Sequence, residues 1–195
     1  MPVRFVYLAS ASPRRRELLR QLGVEFEVVP SQIHEARATD ESPADYVARV
    51  ARDKARWVAR YVEDNGLPVR PVLGADTEVV LDGEILGKPA GDAHARDMLQ
   101  RLSGRTHEVL SAVCVLRHGK EHAALSVSRV TFRRLTPTDI TQYWETGEPM
   151  DKAGGYAIQG RAAGFIARLE GSYSGVMGLP LYELAEILKT LELSA

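Results

Sequence analysis

The chemistry open to this chain rests on a few charged residues set among small or stiff neighbours. The densest such stretch is Leu8-Ala9-Ser10-Ala11-Ser12-Pro13-Arg14-Arg15-Arg16-Glu17-Leu18-Leu19. A short apolar run delivers it, small hydroxyl residues follow, and a proline precedes three arginines. The pattern predicts a strand ending in a turn that opens a helix. Ser12 suits an N-cap, and Pro13 suits the first helical position, where a missing N–H costs nothing. Free N–H groups and the helix dipole favour an anion at such a point. Three arginines there are unfavourable for the helix itself, which makes sense if the site meets a polyanion. A helix start with solvated arginines is the alternative.

A second candidate is Asp76, directly after the apolar run Val72-Leu73-Gly74-Ala75. In open α/β sheets ligands collect beyond strand ends, so a carboxylate there is placed to hold a metal or a water. A turn-forming aspartate is the other reading. Lys88, in Gly87-Lys88-Pro89, is a point charge in a stiff setting, and the same residues describe a solvated loop lysine. Glu35 falls in a polar irregular segment and Lys54 on a helical stretch; neither is distinctive alone.

Several chemistries lack their signatures. There is no Gly-x-Gly-x-x-Gly after a strand and no Gly-x-x-x-x-Gly-Lys-Ser/Thr, so dinucleotide-binding and P-loop cradles are missing. The five histidines form no His-Glu-x-x-His pattern and the single cysteine gives them no thiolate partners, which argues against a structural zinc site. Ser10 and Ser12 have no histidine motif to make either a nucleophile. Acidic residues plus cations remain, a set that suits a hard divalent metal and a phosphate substrate.

These residues need elements to hold them. Residues 3–9 read as a buried strand, 13–22 as a helix stopped by Gly23, and 24–29 as a second strand ended by Pro30. Residues 31–41 form a polar loop. A long helix starts at Pro43, capped by Asp40, Glu41 or Ser42, with Tyr46, Val47, Val50, Ala51, Ala55, Val58 and Ala59 at helical spacing. Residues 69–75 and 78–81 read as strand, Asp82-Gly83 as a hairpin turn, and 84–86 as the returning strand. A helix over 92–102 precedes a long hairpin, 106–116 and 123–132, turning at His118-Gly119-Lys120. A helix spans 136–146. Residues 154–160 and 163–169 read as extended segments around a glycine-rich turn, 171–178 as a loop, and 180–191 as a final amphipathic helix. The expected fold is α/β, a mixed sheet flanked by helices, with two lobes around a cleft as one form of it. No linker divides the chain, so residues 1–195 read as one domain.

Composition sets outer bounds. The chain has 195 residues, 45% hydrophobic and 26% charged, ordinary for a globular protein. A formal net charge of −1 argues against a general nucleic-acid or membrane-surface role. Cys114, the single cysteine, reads as a buried strand residue, and a reducing cytoplasm fits it. There is no apolar run of membrane-spanning length and no signal-peptide pattern.

Five blocks together resemble the Maf family of nucleoside triphosphate pyrophosphatases, in that family's order. They are the opening Leu-Ala-Ser-Ala-Ser-Pro-Arg-Arg; Gly74-Ala75-Asp76-Thr77 continuing to Leu81-Asp82-Gly83-Glu84-Ile85-Leu86-Gly87-Lys88-Pro89; Leu102-Ser103-Gly104-Arg105-Thr106-His107; Asp151-Lys152-Ala153-Gly154-Gly155-Tyr156-Ala157-Ile158-Gln159-Gly160; and Gly171-Ser172-Tyr173-Ser174-Gly175-Val176-Met177-Gly178-Leu179-Pro180. The Gly-Tyr-Ala-Ile-Gln-Gly form is similar to the branch acting on dTTP and UTP. The resemblance implies an inosine-triphosphatase-like (Maf/Ham1) fold, a divalent cation, Mg²⁺ or Mn²⁺, and cleavage to nucleoside monophosphate and pyrophosphate. It implies Asp76 as proton acceptor, with Arg14, Thr77 and Gln159 governing substrate choice. Ser10, Arg15, Glu35, Lys54 and Lys88 match further polar positions of the family's pocket. A homodimer is a family expectation. Members linked with arrest of cell division supply a second reading, a nucleotide-binding regulator; Asp76 beside the cationic set favours the enzyme.

Two positions depart from the family's pattern. Glu78 stands where an apolar residue is usual; it shares a strand face with Asp76, and is read as an exposed strand residue in preference to a second metal-side carboxylate. Gly175 replaces a common asparagine. The mechanism expected from these residues has the cation held by Asp76 and Glu35. Arg14, Arg15, Lys54 and Lys88 neutralise the triphosphate and the leaving pyrophosphate. Gln159 accepts from N3–H of uracil or thymine and donates to a carbonyl, provided Arg14 or Thr77 locks its amide.

Overall fold

The computed structural model describes residues 5–191. The chain runs β1 (Phe5–Leu8), α1 (Pro13–Gln21), β2 (Glu25–Val28), α2 (Pro43–Asp64), β3 (Val72–Leu81), β4 (Glu84–Leu86), α3 (Asp92–Leu102), β5 (Thr106–Arg117), β6 (Lys120–Phe132) and α4 (Pro137–Trp144). Three 3₁₀ turns, Glu148–Asp151, Ala153–Gly155 and Arg161–Phe165, lead to β7 (Ile166–Glu170), α5 (Tyr173–Met177) and α6 (Leu181–Thr190). The predicted strand over 3–9 is seen as β1; residues 3 and 4 lie outside the described residues.

One seven-stranded sheet runs β2-β1-β3-β5-β6-β7, with β4 also paired to β3. β2, β1 and β3 are mutually parallel, and the remaining pairs are antiparallel, so the sheet is mixed as expected. The detail that makes a site is the edge of β3 facing β1. β1 pairs there only with Val72 and Leu73, and β4 only with residues 79–81. Between them, residues 74–78 have no strand neighbour on that edge among the described residues, while β5 covers the other edge from Val72 to Val80. The sheet forks at this gap, and the fork is the cleft.

The layers follow from alternation along β3. Val72 and Val80 face α2, with Tyr46, Val47, Val50, Ala51, Ala55, Val58 and Val62 packed on them. Leu73 and Ala75 face the opposite side, against Leu18 and Leu19 of α1 and Leu184 and Leu188 of α6. At the far end Val79 and Leu81 join Leu99, Leu102, Phe132, Ile140, Tyr143 and Phe165. Ser42 caps α2 by accepting from the Asp45 N–H, and Pro43 occupies its first turn. Asp82 and Gly83 take positive φ (53° and 80°), as do His118 and Gly119 (48° and 74°), the two-residue turn that joins twisted strands without splay.

Three expectations are corrected. Asp76-Thr77 does not interrupt the strand: β3 is continuous, so Asp76 sits mid-strand and not past a strand end. Residues 154–160 are not extended as a whole, because Gly154 and Gly155 turn through positive φ (68° and 69°) in a 3₁₀ turn. Residues 171–178 contain a short helix, α5, whose N-cap Ser172 accepts from the Gly175 N–H. Cys114 is fully buried on β5, as expected.

Candidate active site

A cavity of about 530 Å³ fills the fork of the sheet. The β1–α1 turn forms one wall with Ser10, Ser12, Arg14 and Arg15; β3 supplies Asp76, Thr77 and Glu78; Lys54, Glu35 and Lys88 enter from their own segments. Asp151, Lys152, Tyr156 and Gln159 close the opposite side. Every candidate named from the sequence therefore lines a single cavity. Arg16 does not line it, so two of the three arginines face the cavity, not the whole run. Lys152 and the carbonyl end of α5 also belong to the lining. Lys152 sits inside a recognised block, yet nothing in its local sequence marks it as more than a loop lysine.

The core of the site is a carboxylate–ammonium cluster on the α2 face of β3. Lys54 is buried on the apolar stripe of α2, and its Nζ donates to Asp76 Oδ1 (2.8 Å) and lies 3.0 Å from Glu35 Oε1. Asp76 is 4% exposed. Its second oxygen, Oδ2, is buried without a hydrogen-bond partner among the described residues. A buried carboxylate oxygen left free is costly unless it meets a ligand. Lys54 fixes one oxygen and leaves the other for that role.

Glu78 corrects the expectation of an exposed strand residue. It lines the cavity two residues along from Asp76, and its Oε2 is buried with no partner among the described residues. Burial pushes its carboxyl up to about 8, and the charges of Asp76 and Glu35 add to this against the pull of Lys54 and Lys88. The ionised form is therefore disfavoured in the fold. A carboxyl raised this way contributes its full stability at low pH and loses it as pH climbs from the ordinary carboxylate range to about 8. In metal-free protein, Glu78→Gln is expected to leave stability unchanged near pH 4.5 and raise it by roughly 2–4 kcal/mol at pH 8. Urea unfolding of both proteins across that range checks this; a difference independent of pH contradicts it.

Arg15 braces the other wall. Its Nε donates to the Gly178 carbonyl (2.8 Å), Nη1 to Ser10 Oγ (3.1 Å) and Nη2 to Thr77 Oγ1 (3.5 Å). Burial is the largest influence on this guanidinium and lowers its pKa, with Asp76 the leading opposing charge. Arg15 thus ties the β1–α1 turn to β3 and to the end of α5. The Arg14 guanidinium, by contrast, makes no hydrogen bond among the described residues, with Asp151 as its leading favourable charge. It is the cation of the pair left free for a ligand.

Thr77 faces away from α2. Its Oγ1 meets Ser111 Oγ at 2.5 Å and donates to the Gly178 carbonyl (3.3 Å). Gln159 is exposed at the cavity rim, with no hydrogen bond among the described residues. Neither Arg14 nor Thr77 bonds the Gln159 amide, so the expected lock is not made by those side chains. His107 is a core residue below the Tyr156 wall. Its Nε2 meets the Tyr156 hydroxyl at 2.8 Å, and burial lowers it to about 4, so it is neutral at pH 7.

Residues 5–191 match the family described as Maf-like protein. The dTTP/UTP pyrophosphatase of Alkalilimnicola ehrlichii is 55% identical over 189 residues, covering 96% of this chain and 93% of that protein. The dTTP/UTP pyrophosphatase of Methylococcus capsulatus is 57% identical over 187 residues, covering 95% and 90%. Among solved structures, the Staphylococcus aureus Ham1 protein is similar at a TM-score of 0.43 and 11% identity, covering 66% of this chain and 71% of that one. With identity above one half along nearly the whole length, and a family match that takes in every block lining the cavity, the chain belongs to the Maf family.

Proposed function

We propose that this protein hydrolyses the α–β phosphoanhydride of dTTP and UTP, releasing the nucleoside monophosphate and pyrophosphate. The observation that carries the reading is Asp76: buried, held through one oxygen by Lys54, and free at the other in the wall of a cavity that Arg14, Arg15 and Lys88 also line. The names of the similar proteins supply the substrate class.

In this reading Asp76 Oδ2 takes the proton of the attacking water, while Lys54 keeps the carboxylate oriented. Arg14 meets the triphosphate directly. Arg15 is braced at its three nitrogens and acts as a fixed charge behind the phosphates. Lys88 faces charge that develops on the leaving pyrophosphate. Placed charges supply most of the rate, because phosphoryl transfer asks little covalent work of the protein.

A divalent cation fits this donor set. Asp76 Oδ2 and Glu78 Oε2 are hard, buried oxygens without partners among the described residues. Asp76 and Glu35 would hold the ion, with Glu78 beside Asp76. Among the described residues no group of three or more His, Cys, Asp or Glu side chains is gathered to hold an ion unaided. Oxygen donors of this kind would suit a hard ion such as Mg²⁺ or Mn²⁺. When bound, the ion supplies charge neutralisation at the phosphates and acidifies a coordinated water.

No helix among the described residues is long and apolar enough to cross a membrane. The proposal places the enzyme in the cytoplasm, acting on free nucleotides; the lone, buried Cys114 agrees with a reducing compartment. Residues 1–195 act as one Maf-like domain in this reading, and the family's homodimer is part of it.

The test is a nucleotide panel with Mg²⁺ and product identification. UTP and dTTP should give UMP and dTMP with pyrophosphate; release of nucleoside diphosphate and phosphate would refute the assignment. Base choice rests on Gln159. Gln159→Ala is expected to lower kcat/KM for UTP and dTTP and narrow their advantage over CTP about ten- to a hundredfold, the cost of unpaired polar groups in the site. Equal losses for all three would mean that Gln159 supports the site without reading the base.

A further inference from the structure

Gln159 sits at the cavity rim with its amide unbonded among the described residues, so its aim depends on the backbone that carries it. That backbone is a tight turn: the Gly160 N–H donates to the Ala157 carbonyl (3.0 Å). Both ends of the turn are tied to α4 and the 3₁₀ turn after it. At the start, the Ala157 N–H donates to the Tyr143 hydroxyl (3.2 Å). At the end, the Arg161 N–H donates to both carboxylate oxygens of Glu148, at 3.1 and 3.0 Å. Gly160 lies against that carboxylate so closely that a Cβ there would come within 2.2 Å of Glu148 Oε2.

Glu148 is itself held. Gly147 turns through positive φ (73°) into the 3₁₀ turn that Glu148 opens, and the Glu148 N–H donates to Thr146 Oγ1 (3.1 Å). Asp151 and Lys152, which line the cavity, are at the far end of the same turn. The glutamate therefore fastens the Gln159 turn to a segment that already forms part of the cavity wall. A carboxylate accepting backbone N–H bonds is a strong anchor, and its loss would free the C-terminal end of the turn.

We propose that Glu148 is a positioning residue for base selection. By clamping the Arg161 N–H and seating Gly160, it aims the Gln159 amide at the base, in place of the side-chain lock that Arg14 and Thr77 do not make. This rests on the reading of Gln159 given under Proposed function. Glu148 touches no reacting atom in this assignment. Its removal loosens discrimination between bases and leaves proton transfer at Asp76 in place.

The experiment compares kcat/KM for UTP and CTP, each resolved into kcat and KM, in wild type, Glu148→Ala, Glu148→Gln, Gln159→Ala and the Glu148→Ala/Gln159→Ala double variant. Glu148→Ala should lower the UTP-to-CTP ratio at least about fivefold, mainly through KM for UTP. Glu148→Gln keeps an acceptor for the Arg161 N–H and should retain most of the ratio. The double variant should discriminate no worse than Gln159→Ala, because both changes act through one amide. If Glu148→Ala does not fold by thermal melting, Glu148→Asp, which withdraws the carboxylate by one methylene, should show a smaller loss in the same direction. An unchanged ratio in Glu148→Ala or Glu148→Asp, or equal losses for both substrates, overturns the proposal. If Gln159→Ala itself leaves the ratio unchanged, the base-reading role of Gln159 fails first, and the proposal falls with it for that separate reason.

Discussion

Asp76→Asn is expected to lower kcat for UTP hydrolysis by about 10²–10⁴-fold or more, the range of a positioned general base. The change is close to isosteric. The amide oxygen can keep the Lys54 hydrogen bond that Asp76 Oδ1 now accepts. The amide nitrogen then stands where Oδ2 is free. It cannot take a proton and makes a poor ligand for a hard cation, so base action and cation affinity fall together. The fold should tolerate the substitution. Lys54 keeps Glu35 as a partner, and Glu78 loses its leading repulsive neighbour. Steady-state release of UMP, read beside a thermal melt, checks this. Near-normal turnover in folded Asp76→Asn would remove Asp76 from the mechanism.

Gly74→Ala is expected to damage both fold and activity, through a single contact. Gly74 faces α2, on the same side of β3 as Asp76. A Cβ at this position would lie 2.1 Å from the Ala51 carbonyl oxygen and 2.8 Å from the Ala55 nitrogen. Both atoms are helix backbone, so no flexible side chain can give way, and α2 must retreat as a body. Overpacking of this kind costs about 3 kcal/mol. That corresponds to a fall in Tm of roughly 6–12 °C for a chain of this size. Lys54 lies between Ala51 and Ala55, so the same retreat draws its Nζ away from Asp76 and lowers kcat. Calorimetry and turnover on one preparation test the link. A variant with unchanged Tm and kcat would show that α2 does not depend on the bare backbone of β3.

Gly74 also shows how far the sequence could be read. Its place in Gly74-Ala75-Asp76-Thr77 was legible as a motif, but the reason for glycine was not. That reason is the backbone of α2 at Ala51 and Ala55, far earlier in sequence, resting on the strand. Lys54 carried a readable signal that its type obscured. It falls on the buried stripe of α2, among Val50, Ala51, Ala55 and Val58, where a lysine needs an acidic partner. Glu78 was legible in alternation, since residues 76 and 78 share a face. Its burial was not, because it depends on the gap that β1 and β4 leave along β3.

The same gap explains why Asp76-Thr77 resembled a turn. A polar pair inside a central strand is unusual, and the pair is there because one edge of the strand opens onto a cavity. Helices with full apolar stripes, such as α2 with its Ser42 N-cap and α6 with Pro180 at its start, were visible from periodicity. The five-residue α5 and the 3₁₀ turns around Gly154 and Gly155 are too short to show a period. Gln159 was legible through its block, whereas the carboxylate that clamps its turn, Glu148, lies 11 residues upstream with no local mark of its purpose.

In the proposed mechanism a water activated beside Asp76 attacks the α-phosphorus and expels pyrophosphate. Hydrolysis of UTP in ¹⁸O-water, with mass analysis of both products after a single turnover, tests it most directly. One ¹⁸O atom is expected in UMP and none in pyrophosphate. Label in pyrophosphate, or in released inorganic phosphate, would contradict it.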